Sequence, residues 1–234
     1  MGRYQRLGIA RVGVLGGTFN PVHFGHLHIA EKVQKIFSLS RVYFVVATVP
    51  PHKLHENLIP FVHRYAMVSL AVAGIPAFVP SMIELEPEAS PFSIDTMKKF
   101  ECFLAREKSA LFFIAGGDSL AEVRSWRDSE KLLASYNFVF AARPGTGLVP
   151  CRDVLPEKAV ARVRDFTGLG PARMQRKINE ENSGGNRIYI VDVDAPDISA
   201  TRIRDLASAG KSLRSMVPGT VCEYIRKHHL YGER

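Results

Sequence analysis

The residues best equipped for chemistry stand close together near the start of the chain. His23 and His26 lie three positions apart, a spacing that puts two imidazoles on one face of the first turn of a helix. A short apolar run, Val12 to Leu15, comes before them and stops at Gly16 and Gly17, and Thr18, Phe19, Asn20 and Pro21 make the turn between. A strand that ends in glycines and opens into a helix suits an anion, because bare main chain admits it and the first N–H groups of the helix attract it. A second pattern lies far downstream, Asp197-Ile198-Ser199-Ala200-Thr201-Arg202-Ile203-Arg204. Ser199 and Thr201 place hydroxyls at a helix start, and Arg204, one turn on, carries a permanent charge for phosphate oxygens. Taken alone, that stretch reads equally as a capped amphipathic helix with solvated arginines. Two histidines on one helix also suit zinc, but no acidic residue lies between them as in His-Glu-x-x-His. The glycine turn favours phosphate, and no metal site built by side chains is expected.

Further candidates fall at the ends of apolar runs, the edge where open α/β sheets bind ligands. Lys53 sits in the loop Thr48-Val49-Pro50-Pro51-His52-Lys53, and Arg143 follows the run Phe138 to Ala142. Either could meet a phosphate. The clearest buried strand, Ala110 to Ala115, opens into Gly116-Gly117-Asp118. Asp118 could accept from ribose hydroxyls or cap the next helix. Trp126, the only tryptophan, stands among Arg124, Arg127 and Asp128, which favours a half-exposed ring free to stack on a flat ligand. Ser93 reads as the N-cap of a helix running to about Arg106.

Positioning these groups requires a scaffold, and the apolar periodicity supplies one. Continuous apolar runs at Val12–Leu15, Val42–Ala47, Ala77–Val79, Ala110–Ala115, Phe138–Ala142 and Arg187–Val193 alternate with helical patterns at His23–Phe37, Phe61–Val72 and Ser93–Arg106. That alternation predicts an α/β fold, a Rossmann-like doubly wound parallel sheet with helices on both faces. The 234 residues suit a single domain, 1–234, with a helical part after the sixth strand closing on Thr220–His229. From Thr146 to Asn186 glycine, proline and charge dominate. A helix around Pro156–Asp165 within a flexible insertion is expected there, with an oligomer contact or a lid as roles for it. Net charge is +8, from 31 Lys+Arg against 23 Asp+Glu, which favours anionic partners without choosing between nucleotides and nucleic acid. Three scattered cysteines and no apolar run of transmembrane length are the marks of a cytoplasmic protein.

The segment Gly16-Gly17-Thr18-Phe19-Asn20-Pro21-Val22-His23-Phe24-Gly25-His26 resembles the nucleotidyltransferase superfamily, which carries (His/Thr)-x-Gly-His after its first strand. Within it, the segment is most similar to bacterial nicotinate-nucleotide adenylyltransferases. Pro-Phe-Ser-Ile-Asp-Thr-Met at 91–97, the 126 tryptophan, Ile-Ser-x-Thr-x-Ile-Arg at 198–204 and the closing Val-x-x-Tyr-Ile are similar to family segments as well. The resemblance spans nearly the whole chain except 146–186. It implies adenylyl transfer from ATP to nicotinate mononucleotide, with magnesium carried by the ATP. His23, His26 and Arg204 are then catalytic. Gly16, Gly17, Thr18, Phe19, Gly116, Asp118, Arg143, Ile198, Ser199 and Thr201 hold ATP. Asn20, Lys53, Ser93, Trp126 and Arg127 hold the mononucleotide, Arg127 through its backbone N–H. Two positions depart from the family: Ser93 replaces a threonine, and Arg127 stands where an aromatic residue is common. An adenylyltransferase for nicotinamide mononucleotide or phosphopantetheine is the nearest alternative. A nucleic-acid-binding protein on the same fold is the more distant one. A homo-oligomer stays open.

Overall fold

The structure, a computed structural model, describes residues 4, 7–48, 58–86, 90–142, 149–181 and 185–232. Its strands are β1 (Ala10–Gly17), β2 (Arg41–Val46), β3 (Phe78–Ser81), β4 (Ser109–Gly116), β5 (Asn137–Ala142), β6 (Val163–Asp165) and β7 (Ile188–Asp192). They form one sheet in the order β3-β2-β1-β4-β5-β7-β6, parallel at every pairing. The helices are α1 (Phe24–Phe37), α2 (Phe61–Val72), α3 (Ser93–Phe103), α4 (Ser119–Glu122), α5 (Ser129–Ser135), α6 (Cys151–Val154), α7 (Glu157–Val160), α8 (Pro171–Glu180), α9 (Ala200–Ser208) and α10 (Gly219–Lys227).

Both faces of this sheet are covered, which is why its strands read as unbroken apolar runs rather than alternating ones. Val42, Phe44, Phe112 and Tyr189 face a core built with α1, α2, α8, α9 and α10. Their strand neighbours Tyr43, Val45, Phe113 and Ile190 face a second core with α3, α5 and α7. The chain winds outward from β1 to β3, then returns to place β4 on the other side of β1. The reversal opens a crevice beyond the carboxyl ends of β1 and β4, the place where such sheets take ligands. Gly13 lets β1 lie close inside this packing, since a Cβ there would come within 2.9 Å of the Ile114 and Leu39 side chains.

The stretch 146–186 carries more structure than the flexible insertion expected of it. Of the helix expected over Pro156–Asp165 only the short α7 is present, preceded by α6; the chain then enters β6 on the sheet edge, and the longer helix α8 follows with Pro171 at its first turn. Phe166, Met174 and Ile178 are buried in the α1-side core, so the segment completes that layer. Arg11, itself buried, fastens it by donating to the Phe37 carbonyl at 2.7 Å and to Asn179 Oδ1 at 3.1 Å. At the far end of α8 the Glu181 carboxylate accepts from Tyr189, Arg164 and Arg187. A second difference concerns Ser93. The capping position falls on Phe92, and Ser93 is the first helical residue of α3.

Candidate active site

The site begins where β1 runs out of side chains. A Cβ on Gly17 would meet the Phe19 ring at 2.9 Å, so glycine is what lets the chain fold back on itself. Phe19 takes a left-handed φ of +47°, and the chain then enters α1 with His23 as its extended N-cap. The two histidines thus occupy the cap and the third helical residue rather than one helical turn. Their rings still meet, stacked with centroids 3.7 Å apart and 30° between planes. Phe19 presses edge-on against His26 at 4.9 Å. His26 Nδ1 accepts the backbone N–H of His23 at 3.3 Å, so in the neutral ring the proton is carried on Nε2. Burial, and secondarily the charge of His23, holds His26 well below its ordinary value of 6.5. A neutral donor ring results.

Helix α9 brings the second motif to the same place. Ser199 caps it, its Oγ accepting the Arg202 N–H at 3.2 Å, and Ile198 is buried just before. Arg204, one turn on, donates to the Asn20 carbonyl at 3.0 Å and to Thr201 Oγ1 at 3.2 Å. Segments 184 residues apart are thereby joined. A guanidinium has five N–H donors, so two fixed bonds aim the group and leave others for an anion.

Beside this cluster, at the switch between β1 and β4, lies a cavity of about 510 Å³. Gly16, Gly17 and Thr18 line it from one side, and Ser93, Trp126 and Arg127 from another. Trp126 is half-buried and stands edge-on to Phe113 with centroids 5.8 Å apart, which fixes the indole without covering it. The Arg127 guanidinium lies 4.7 Å from the centre of the Phe92 ring. Gly116 also lines the cavity. Asp118 is exposed and makes no side-chain cap; its carboxylate folds back over Gly116, where a Cβ would clash. Lys53 and Arg143 lie outside the described residues.

Two residues of this site escaped the sequence reading. Glu84 lines the cavity, its carboxylate accepting the Thr48 N–H at 3.1 Å and the Thr96 hydroxyl at 3.0 Å. Burial pushes its carboxyl above the usual range against those hydrogen bonds. Nothing in Glu84-Leu85-Glu86 distinguishes it from a loop acid. Arg64 is only 2% exposed. It donates to the carbonyls of Thr18 at 2.8 Å, Ala47 at 2.6 Å, Thr48 at 3.0 Å and Ile59 at 3.1 Å. Burial lowers its pKa from the ordinary arginine value. A signal existed for this one, since Arg64 shares the buried helical face of Met67, Val68 and Val72.

The chain matches the family model described as cytidylyltransferase-like over residues 14–206. A protein of Geobacter sulfurreducens named "Probable nicotinate-nucleotide adenylyltransferase" is 40% identical over 221 residues, which are 94% of this chain and 98% of that protein. A protein of the same name from Thermoanaerobacter is 36% identical over 222 residues, 94% of each chain. Among solved structures, Plasmodium falciparum nicotinic acid mononucleotide adenylyltransferase complexed with NaAD shares the fold with a TM-score of 0.66. The match covers 95% of this chain and 97% of that one, and at 15% identity it speaks to the fold alone. With relatives 36% and 40% identical over 94% of its length and the family model spanning most of it, the chain belongs to the nicotinate-nucleotide adenylyltransferase family.

Proposed function

We propose that this chain, working as one nucleotidyltransferase domain, transfers the adenylyl group of ATP to nicotinate mononucleotide, giving nicotinate adenine dinucleotide and pyrophosphate. One observation carries the reading. A cavity walled by Trp126, Ser93 and Arg127 is bordered at the end of β1 by Gly16, Gly17 and Thr18, which lead directly into the histidine turn that Arg204 holds through the Asn20 carbonyl. A 5′-phosphate oxygen of the mononucleotide attacks the α-phosphorus of ATP, the bond from that phosphorus to the bridging oxygen breaks, and pyrophosphate leaves. Such a transfer needs alignment and charge stabilisation more than covalent participation. His26 supplies a neutral Nε2–H and His23 the ring stacked on it, at a helix N-terminus whose dipole favours negative charge. Arg204, with Ser199 and Thr201 around it, holds the departing pyrophosphate. The pyridine ring stacks on Trp126 while its carboxylate meets the Ser93 hydroxyl and the Arg127 N–H. Gly16, Gly17, Thr18, Phe19, Gly116, Asp118 and Ile198 bound the nucleotide, and Asn20 meets the mononucleotide phosphate.

Magnesium enters as part of the substrate, MgATP. Among the described residues no three His, Cys, Asp or Glu side chains gather as a metal site; in this reading the triphosphate oxygens carry the cation. Reaction in the cytoplasm belongs to the same reading; among the described residues no helix is long and apolar enough to cross a membrane. The test is pyrophosphate release with MgATP and a panel of nicotinate mononucleotide, nicotinamide mononucleotide and phosphopantetheine. Nicotinate mononucleotide should be the preferred acceptor. Release with another acceptor alone, or with none, overturns the reading.

A further inference from the structure

Beyond α10 the chain doubles back through two non-glycine residues in the left-handed region, His229 at φ +48° and Tyr231 at φ +66°. That region is costly for residues with bulky side chains, and it is kept where surrounding contacts over-determine it. The contact made by Tyr231 reaches across 211 positions: its hydroxyl donates to Asn20 Oδ1 at 3.0 Å. Asn20 is 4% exposed and is held from its other end by Arg204, which donates to its carbonyl at 3.0 Å. It is therefore a node between the β1 turn, α9 and the segment after α10. The Asn20 Nδ2 group is buried and finds no hydrogen-bond partner among the described residues.

A phenol can donate or accept, so something must decide which way the Asn20 amide faces. Here the hydroxyl donates to the amide oxygen, and among the described residues the only partner of the carboxamide is that hydroxyl, while Nδ2 stays buried and unpartnered. The amide oxygen is thereby committed to Tyr231, and the NH₂ group is the half of the carboxamide left to donate. A buried donor without a partner is expensive, and a phosphate oxygen at the neighbouring anion site would satisfy it.

We propose that Tyr231 is a positioning residue for the transfer reaction, holding the Asn20 carboxamide so that its NH₂ is kept as a donor for the mononucleotide phosphate. This rests on the adenylyl-transfer reading. Tyr231→Phe keeps the ring and removes only the hydroxyl. kcat/KM for nicotinate mononucleotide should fall about tenfold, the scale of one hydrogen bond. The Kd for ATP should stay near that of the wild type, while the melting temperature falls by the few degrees that a buried acceptor stripped of its donor costs. Because the hydroxyl acts through Asn20, the double variant Asn20→Ala/Tyr231→Phe should be no slower than Asn20→Ala alone. A purely structural tyrosine would lower the melting temperature but leave kcat/KM unchanged, or would add its kinetic loss to that of Asn20→Ala. An unchanged kcat/KM in Tyr231→Phe, or additive losses, overturns the proposal. Should the wild type prefer another mononucleotide, the functional reading fails and the same cycle is run with that substrate. Should it use none, nuclear magnetic resonance of the Asn20 side-chain amide decides. A resonance unmoved by Tyr231→Phe would then count against the contact, and a moved one for it.

Discussion

Among single residues, His26 has a protonation state that the surrounding bonds fix and a titration can read. Its Nδ1 already accepts a backbone N–H, so protonating the ring would cost that bond as well as a buried charge. We expect an Nε2–H tautomer and a pKa well below 6.5 in the ligand-free protein, read directly from ¹⁵N histidine spectra across a pH titration. The consequence for stability has a definite sign. The unfolded chain takes up a proton near 6.5 and the folded one does not, so stability is lost as pH falls below about 6.5. The loss attributable to His26 reaches at most about 1.4 kcal/mol per pH unit. Urea denaturation at pH 7.5 and 5.5 should show a larger drop for the wild type than for His26→Gln. Equal drops would mean that His26 titrates normally. Arg204 invites a second test, because it spends two donors on protein acceptors and keeps the rest. Arg204→Ala should weaken ATP and pyrophosphate by roughly ten- to a hundredfold, the range for hydrogen bonds to charged groups. The mononucleotide should weaken less, and calorimetric titrations that weaken all three equally would mark the arginine as structural.

Elements explain why those residues meet, and Arg64 is the clearest case. From α2 its guanidinium reaches carbonyls in the β1 turn and beyond the end of β2, so one side chain fixes two walls of the site. Each buried acceptor stripped of its donor costs about 1–3 kcal/mol. With several affected at once, Arg64→Met should lose more than about 3 kcal/mol in urea denaturation. A loss below about 1 kcal/mol would show that water replaces the guanidinium. The sequence shows this part of the molecule unevenly. The strands of the central sheet and α1 to α3 were legible because burial on both sides writes long apolar runs and clean helical stripes. The strand β6 was not, since a three-residue Val-Arg-Asp on a sheet edge has no apolar run to read. Helix α8 buries only Met174 and Ile178, too narrow a stripe to stand out from its charges. In the site, glycines and histidines announced themselves by spacing. Glu84 did not, because its place in the cavity wall depends on Thr48 and Thr96, which only the fold brings together.

For the whole molecule the question is which pyridine nucleotide it selects, since the net charge of +8 favours an anion while the cavity itself is lined by Glu84 and Glu122 as well as Arg127. Nicotinate and nicotinamide have almost the same shape. Stacking on Trp126, an interaction of about 0.5–1.5 kcal/mol, cannot separate them. The overall field adds little discrimination, because charges farther away than about 8 Å are screened at physiological ionic strength. In the proposed binding mode selection then comes from the carboxylate edge, where the Ser93 hydroxyl and the Arg127 N–H, both lining the cavity, can donate. A carboxylate accepts from both, whereas an amide turns its own NH₂ toward at least one of them. A lost hydrogen bond to a charged group costs about 1.5–3 kcal/mol, and opposed donors add to it. We therefore expect kcat/KM for nicotinate mononucleotide to exceed that for nicotinamide mononucleotide by about a hundredfold or more. The origin can be located by salt. If the contacts are local, the ratio should hold between 50 mM and 500 mM salt even as both absolute values fall. A ratio that collapses with salt would assign selectivity to the protein's general field, and a ratio near one at every salt concentration would remove the carboxylate contacts from Ser93 and Arg127 altogether.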